Sequence, residues 1–294
     1  MKAFLFPGQG SQKTGMGKNH YDSDPAVESL FSHADNLLGY SLSEIMFEGP
    51  QEKLTQTQYT QPAIFLHSIA LFRKLGETPD MVAGHSLGEF TALAAADVLS
   101  FETALDLVAL RGKLMQEAGI NNPGTMAAII GMDDAVVDAI CEEAAALVKK
   151  PVVPANYNCP GQLVISGDVD AVKKAVELAK EKGCRMAMLL PVSGAFHSPL
   201  MKPAYDALKE KVDSIEFAES KIPLYSNYSA RPTTNGEELK SNVLDQLLSP
   251  VRWTETLQNM SKNGANVFVE VGPGKVLQGL VKRTLKDVEI KGHE

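Results

Sequence analysis

Gly84-His85-Ser86-Leu87-Gly88 sets a serine between two glycines in the pattern Gly-x-Ser-x-Gly. The apolar run at 81–84 precedes it, and an alanine-rich, helix-prone stretch at 87–98 follows. A strand that turns sharply into a helix at a serine forces the hydroxyl outward, and so tight a turn needs glycine as its close neighbours. The hydroxyl then stands at a helix N-terminus, where free N–H groups favour developing negative charge. That is the setting of a nucleophile for acyl chemistry. A plain turn with a serine cap is the other reading of the same five residues.

A serine nucleophile needs a base, and an imidazole suits that task near neutral pH. The chain carries six histidines. His20, His33 and His293 lie near segment ends and read as solvated surface. His67 falls on an apolar helical stretch and reads as a satisfied core histidine. His85 adjoins Ser86, but consecutive side chains diverge. His197 remains, in Val192-Ser193-Gly194-Ala195-Phe196-His197-Ser198-Pro199. No Asp or Glu stands in a loop at a triad-like spacing from it. Either the acid is hidden, or something other than a carboxylate orients the imidazole.

Arg111 is the third candidate. On a helical wheel for residues 104–115 it falls among Ala104, Leu107, Val108, Leu114 and Met115, opposite Glu102, Asp106 and Lys113. A guanidinium on an apolar face is costly unless it meets an anion. A buried salt bridge would satisfy it. So would a substrate carboxylate, gripped through two parallel hydrogen bonds.

The elements that must position these residues follow from periodicity and breakers. Residues 2–6 read as a buried strand stopped by Pro7-Gly8-Gln9-Gly10, 63–75 as a helix, 81–84 as a strand and 87–98 as a helix. A further helix starts near Ser100, its N-cap, and ends before Asn121-Asn122-Pro123-Gly124. Strand 125–130, helix 133–147, strands 152–157 and 162–166, helix 169–181 and strand 184–190 then give the βαββαβ order of a ferredoxin-like unit. Strands at 223–226 and 267–271 and a helix at 276–285 follow. The expectation is an α/β protein. Residues 1–123 and 194–294 form a discontinuous, α/β-hydrolase-like core with a parallel sheet, and 124–193 a ferredoxin-like inserted domain. Ser86 and His197 then face a cleft between the two, a common place for a ligand pocket.

Composition excludes several other classes. With 44% hydrophobic and 22% charged residues over 294 positions, the chain can bury a sizeable core. A formal charge of −8 argues against nucleic acid as a partner, because phosphate binding needs a basic face. Cys141, Cys159 and Cys184 are odd in number and lack Cys-x-x-Cys spacing, against a disulfide framework or structural zinc. The apolar run before Pro7 is too short for a signal peptide, and no stretch approaches the ~20 apolar residues of a membrane span. A soluble, reduced, cytoplasmic protein is expected.

Phe6-Pro7-Gly8-Gln9-Gly10-Ser11-Gln12, Thr60-Gln61-Pro62-Ala63, Gly84-His85-Ser86-Leu87-Gly88-Glu89, Ala195-Phe196-His197-Ser198 and Val269-Glu270-Val271-Gly272-Pro273-Gly274 occur in this order along essentially the whole chain. Together they resemble the malonyl-CoA:acyl carrier protein transacylases, a family that includes the acyltransferase domains of fatty acid and polyketide synthases. The resemblance implies Ser86 as nucleophile, His197 as its base, and the main-chain N–H groups of Gln9 and Leu87 as the oxyanion hole. It implies Arg111 as the clamp for a malonyl carboxylate and the main-chain carbonyl of Gln246 as the group that steadies His197. Asn158 matches an asparagine near the family's pocket. Ala195-Phe196 departs from the small polar residues that some free-standing bacterial members carry before the histidine. Phe196 would fill the space of a methyl branch and favour malonyl over methylmalonyl, by ~1–3 kcal/mol.

The implied activity is ping-pong transfer of malonyl from malonyl-CoA to the phosphopantetheine thiol of acyl carrier protein, supplying fatty acid synthesis. It needs no metal or redox cofactor, and a monomer is expected. A free-standing acyltransferase of a polyketide synthase, a serine esterase or thioesterase, and a non-catalytic carrier-docking subunit are the alternatives. Lys275, Lys282, Arg283 and Lys286 form either a docking patch for an acidic carrier or an ordinary solvated helix face.

Overall fold

Successive residues of a strand point to opposite faces of its sheet, so short runs that are apolar throughout call for cover on both sides. The computed structural model, which describes residues 1–294, shows that cover. In chain order the strands are β1 (Lys2–Phe6), β2 (Met81–Gly84), β3 (Gly124–Ile130), β4 (Val152–Cys159), β5 (Gln162–Asp168), β6 (Met186–Leu189), β7 (Leu224–Tyr225), β8 (Pro232–Thr233), β9 (Val267–Val271) and β10 (Glu289–His293). One sheet has the order β10-β9-β1-β2-β7-β8 and is parallel except for its last pair. Phe4, Phe6, Val82, Val269 and Val271 join the main core on one face. Ala3, Leu5, Met81, Ala83 and Phe268 pack on the other face against Trp253, Leu257 and Leu280.

The second sheet is antiparallel, in the order β4-β5-β3-β6. The helices Asp134–Val148 and Val169–Glu181 cover one of its faces, where Ala127, Ile129, Leu163 and Ile165 point. Its opposite face sends Met126 and Val164 into the main core. The strand–helix–strand–strand–helix–strand order expected for this stretch is present.

One helix differs from expectation. The helix expected at 63–75 is Thr57–Leu75 and contains Pro62, which costs a main-chain hydrogen bond. Every residue from Thr60 to Leu71 is buried, and that packing carries the helix through the proline. The helix that begins after Ser100, whose hydroxyl accepts from Thr103 N–H, runs from Phe101 to Asn121 and places Arg111 at mid-length.

Candidate active site

The elbow between β2 and the helix Gly88–Ala95 leaves no room for side chains at its two glycines. A Cβ at Gly84 would lie 1.8 Å from the Gly88 carbonyl, and one at Gly88 would lie 2.1 Å from Phe6 O on β1. Ser86, between them, has φ +52°, a left-handed conformation that costs a non-glycine residue roughly 1–3 kcal/mol. The loop after β1 presses on the same turn, since a Cβ at Gly8 would lie 2.4 Å from His85 O. Gln9 and Leu87 line, with Ser86, a cavity of about 260 Å³. Neither the Gln9 nor the Leu87 main-chain N–H donates a hydrogen bond within the protein.

His197 is brought to this elbow from 111 residues away, with Nε2 2.8 Å from Ser86 Oγ. Its Nδ1 lies 2.8 Å from Gln246 O. A carbonyl can only accept, so Nδ1 carries the proton and Nε2 is bare, ready to receive the Ser86 hydroxyl proton. Burial, and secondarily the charge on Arg111, pull the imidazole pKa from 6.5 down to about 3. The orienting group is thus a main-chain carbonyl.

Arg111 is 1% exposed and forms no salt bridge. Its Nη1 donates to Gln61 Oε1 at 2.7 Å, and Nη2 donates to Gln246 Oε1 at 2.9 Å and to Ser86 Oγ at 3.2 Å. The Phe90 ring lies 5.5 Å from Cζ. Burial lowers its pKa to about 10, opposed by the field of Glu89. Glu89 touches Arg111 only through Gln246, whose Nε2 donates to Glu89 Oε2 at 2.5 Å. Burial raises the Glu89 pKa to about 7, against the hydrogen bonds from Gln246 and Asn227. The result is a buried cation surrounded by neutral acceptors, with one arm on the serine hydroxyl.

The antiparallel sheet supplies the opposite wall. Asn156, Asn158, Gln162 and Val164 line the cavity from β4 and β5. The Asn158 Oδ1 accepts from His85 Nε2 at 2.9 Å, which fixes the tautomer of His85, a half-buried imidazole whose pKa desolvation lowers. Phe196, 6% exposed, also lines the cavity. The four basic residues near the C-terminus, Lys275, Lys282, Arg283 and Lys286, are all exposed, and Arg283 also lines the cavity mouth and bonds Gln162 Oε1. A wider groove of about 1180 Å³ between Asp133 and Gln258 contains neither Ser86 nor His197. No cluster of three or more His, Cys, Asp or Glu is arranged to hold a metal ion, and no helix is long and apolar enough to cross a membrane.

The structure therefore gathers Ser86, His197, Gln9, Leu87, Arg111, Gln246, Asn158 and Phe196 around one small space. It adds Gln61, Glu89 and Asn227, which sequence reasoning gave no role. Glu89 adjoins the elbow motif and its burial is legible from the apolar residues around it; Asn227 carries no local signal. His67 is buried as expected, but neither ring nitrogen has a partner.

A strained serine, a buried imidazole and two free amides at the ends of parallel strands are an arrangement that can carry acyl transfer, and comparison with known proteins gives the class of protein. The family model for the acyl transferase domain matches residues 3–293, so the chain belongs to that family. It is 47% identical over 302 residues to the malonyl CoA-acyl carrier protein transacylase of Bacillus subtilis, covering 99% of this chain and 94% of that protein. The crystal structure of an acyl carrier protein S-malonyltransferase from Vibrio cholerae superposes with a TM-score of 0.95 at 43% identity, covering 100% of this chain and 96% of that one. A malonyl-transacylase solved in complex with its type II PKS acyl-carrier protein superposes with a TM-score of 0.94 at 40% identity, covering 99% and 94% of the two chains.

Proposed function

We propose that this acyltransferase moves malonyl from malonyl-CoA to the phosphopantetheine thiol of acyl carrier protein, through a malonyl ester on Ser86. One observation carries the substrate class: the buried Arg111 guanidinium has neutral partners only and lies 3.2 Å from the nucleophilic oxygen. An acyl group seated on Ser86 that ends in a carboxylate supplies the missing anion. A malonyl group has that chemistry, and the names of the relatives point the same way.

The steps follow from the hydrogen bonds. Ser86 Oγ gives its proton to His197 Nε2 and attacks the thioester carbonyl. The carbonyl oxygen becomes an oxyanion, received by the Gln9 and Leu87 amides. The tetrahedral intermediate collapses, the C–S bond breaks, and the departing coenzyme A sulfur takes the proton from His197. The carrier thiol then gives its proton to His197 and attacks the ester. The product thioester leaves, and the proton returns to Ser86 Oγ. Every proton moves through one imidazole, steadied in its reacting tautomer by Gln246 O. Nucleophile, base and oxyanion donors all come from the chain, so the scheme invokes no metal or redox cofactor. His85, by donating to Asn158 Oδ1, leaves the Asn158 amide free to donate toward the acyl group. Phe196 narrows the space beside the malonyl methylene.

We infer further that residues 1–123 and 194–294 are a discontinuous, α/β-hydrolase-like catalytic domain and 124–193 a ferredoxin-like insert, with the site in the cleft between them. The β4-β5-β3-β6 order, with the first and third strands of the unit at its centre, supports the second assignment. The enzyme acts in this scheme as a cytoplasmic monomer, with neither nucleic acid nor membrane as a partner. The carrier belongs to fatty acid synthesis; the relative bound to a polyketide carrier makes that pathway the second reading. Intact mass after brief mixing with malonyl-CoA tests the chemistry. One malonyl adduct, absent in Ser86→Ala and discharged by added carrier protein, is the expected result. Free malonate without an adduct would make the protein a hydrolase.

A further inference from the structure

Ser86 is held from beneath by a side chain that belongs to none of the motifs around it. The Ser86 N–H donates to Asn227 Oδ1 at 2.6 Å, and Asn227 Nδ2 donates to Gly84 O at 2.6 Å. One carboxamide therefore spans the elbow and closes both of its main-chain ends. From the other side, Gln246 Nε2 donates to Ser86 O at 3.0 Å. A single carboxylate ties the two supports together. Glu89 Oε2 accepts from Gln246 Nε2 at 2.5 Å and from the Asn227 main-chain N–H at 3.2 Å. Asn227 and Gln246 are 0% exposed and Glu89 is 1% exposed, and Asn227 lies 141 residues beyond Ser86.

A left-handed serine persists only where its surroundings over-determine it. Asn227 and Gln246 do so here, because they use both main-chain polar groups of Ser86. Gln9, Ser86 and Leu87 all line the cavity, each with a main-chain amide. With the Ser86 N–H committed to Asn227, the free donors are Gln9 and Leu87. The same bond fixes where Cα of Ser86 stands, and hence the 2.8 Å contact of Oγ with His197 Nε2.

We propose that Asn227, anchored by Glu89, is a positioning residue of the acyl-transfer site: it locks the Ser86 backbone and leaves the oxyanion to the Gln9 and Leu87 amides rather than to that of Ser86. The inference rests on the acyl-transfer reading above. Asn227 touches no part of the acyl pocket, so its loss acts on the chemical step common to every acyl group. Arg111 acts on selectivity instead. The two roles separate kinetically.

The experiment measures malonyl and acetyl transfer by wild type and Asn227→Ala at equal concentrations of folded enzyme. The expected result is a kcat lower by on the order of 100-fold, with KM for malonyl-CoA within about threefold and the malonyl-to-acetyl preference unchanged. An unchanged kcat would overturn the proposal, as would a loss confined to KM or to malonyl. Amide hydrogen exchange in the wild-type protein decides the question should the variant not fold. The Ser86 N–H should exchange at least about 100-fold more slowly than the Leu87 N–H; equal rates would overturn the lock. Wild type that takes no malonyl onto Ser86 removes the transfer reading and this inference together. Wild type that is acylated, with Asn227→Ala equally fast, removes the inference alone.

Discussion

Arg111→Ala separates malonyl from acetyl transfer, and the structure sets the size of the effect. In wild type the guanidinium is 1% exposed and bonded to Gln61, Gln246 and Ser86, all neutral. A malonyl carboxylate converts it into a paired ion; removing one partner of a buried pair typically costs about 3–5 kcal/mol. At 1.36 kcal/mol per decade, that is roughly a 10²–10⁴-fold fall in kcat/KM for malonyl-CoA. Lost bonds to Gln246 Oε1 and Ser86 Oγ slow any acyl group, by about 1 kcal/mol each. Acetyl has an opposing gain. In wild type it closes the pocket over an unpaired cation, a penalty of about 1–3 kcal/mol that the variant lacks, which roughly offsets those losses, so acetyl transfer should stay within about fivefold of wild type. The malonyl-to-acetyl ratio should therefore fall by ~10³. Competing malonyl-CoA and acetyl-CoA at equal concentrations, with the acyl-serine read by intact mass, gives that ratio directly. Arg111→Lys keeps the charge without the planar fork and should fall between. An unchanged ratio in Arg111→Ala would refute the carboxylate clamp, however far the absolute rates drop.

Three other outcomes follow from burial and charge. Because burial holds His197 at about 3, the base stays neutral well below the 6.5 of an ordinary imidazole; stopped-flow acylation should stay level from about pH 8 to about 5, and a halving near pH 6.5 would contradict it. His67 is buried with both nitrogens unpartnered and its pKa lowered to about 4, so the unfolded chain takes up a proton first and stability is lost as pH falls from 6.5 toward 4. His67→Leu should raise the melting temperature by about 1–2 °C at pH 7, for about 1 kcal/mol of relieved desolvation, and by more at pH 5 in thermal melts at both pH values. Phe196→Val should open the cavity beside the acyl group and raise the methylmalonyl-to-malonyl ratio about tenfold in competition assays.

The sequence by itself determined what depends on near neighbours. The Gly-x-Ser-x-Gly turn, the apolar face that carries Arg111, the Ser100 cap and the short apolar runs of β1 and β9 are local. Backbone sterics and periodicity express them within a few positions. The βαββαβ order was legible for the same reason. The helix Pro25–Leu38 buries Val27, Leu30, Phe31 and Ala34 at helical spacing behind an Asp24 cap, a local pattern that the reading of the sequence passed over; the shorter helices Lys18–Ser23, Leu42–Glu48 and Gln51–Leu54 and the strands β8 and β10 are too brief to carry one. Only tertiary structure decided what completes the site. Every residue has a main-chain carbonyl, and nothing in a sequence marks Gln246 O as the one opposite His197 Nδ1. Whether Arg111 meets a carboxylate or only amides depends on Gln61 and Gln246, which lie 50 and 135 residues away. Asn227, a polar residue in a loop after β7, reads as surface until folding places it, fully buried, beneath the serine. Hydrogen bonds fix such groups one pair at a time and leave no periodic trace, whereas the hydrophobic pattern that builds the frame repeats along the chain.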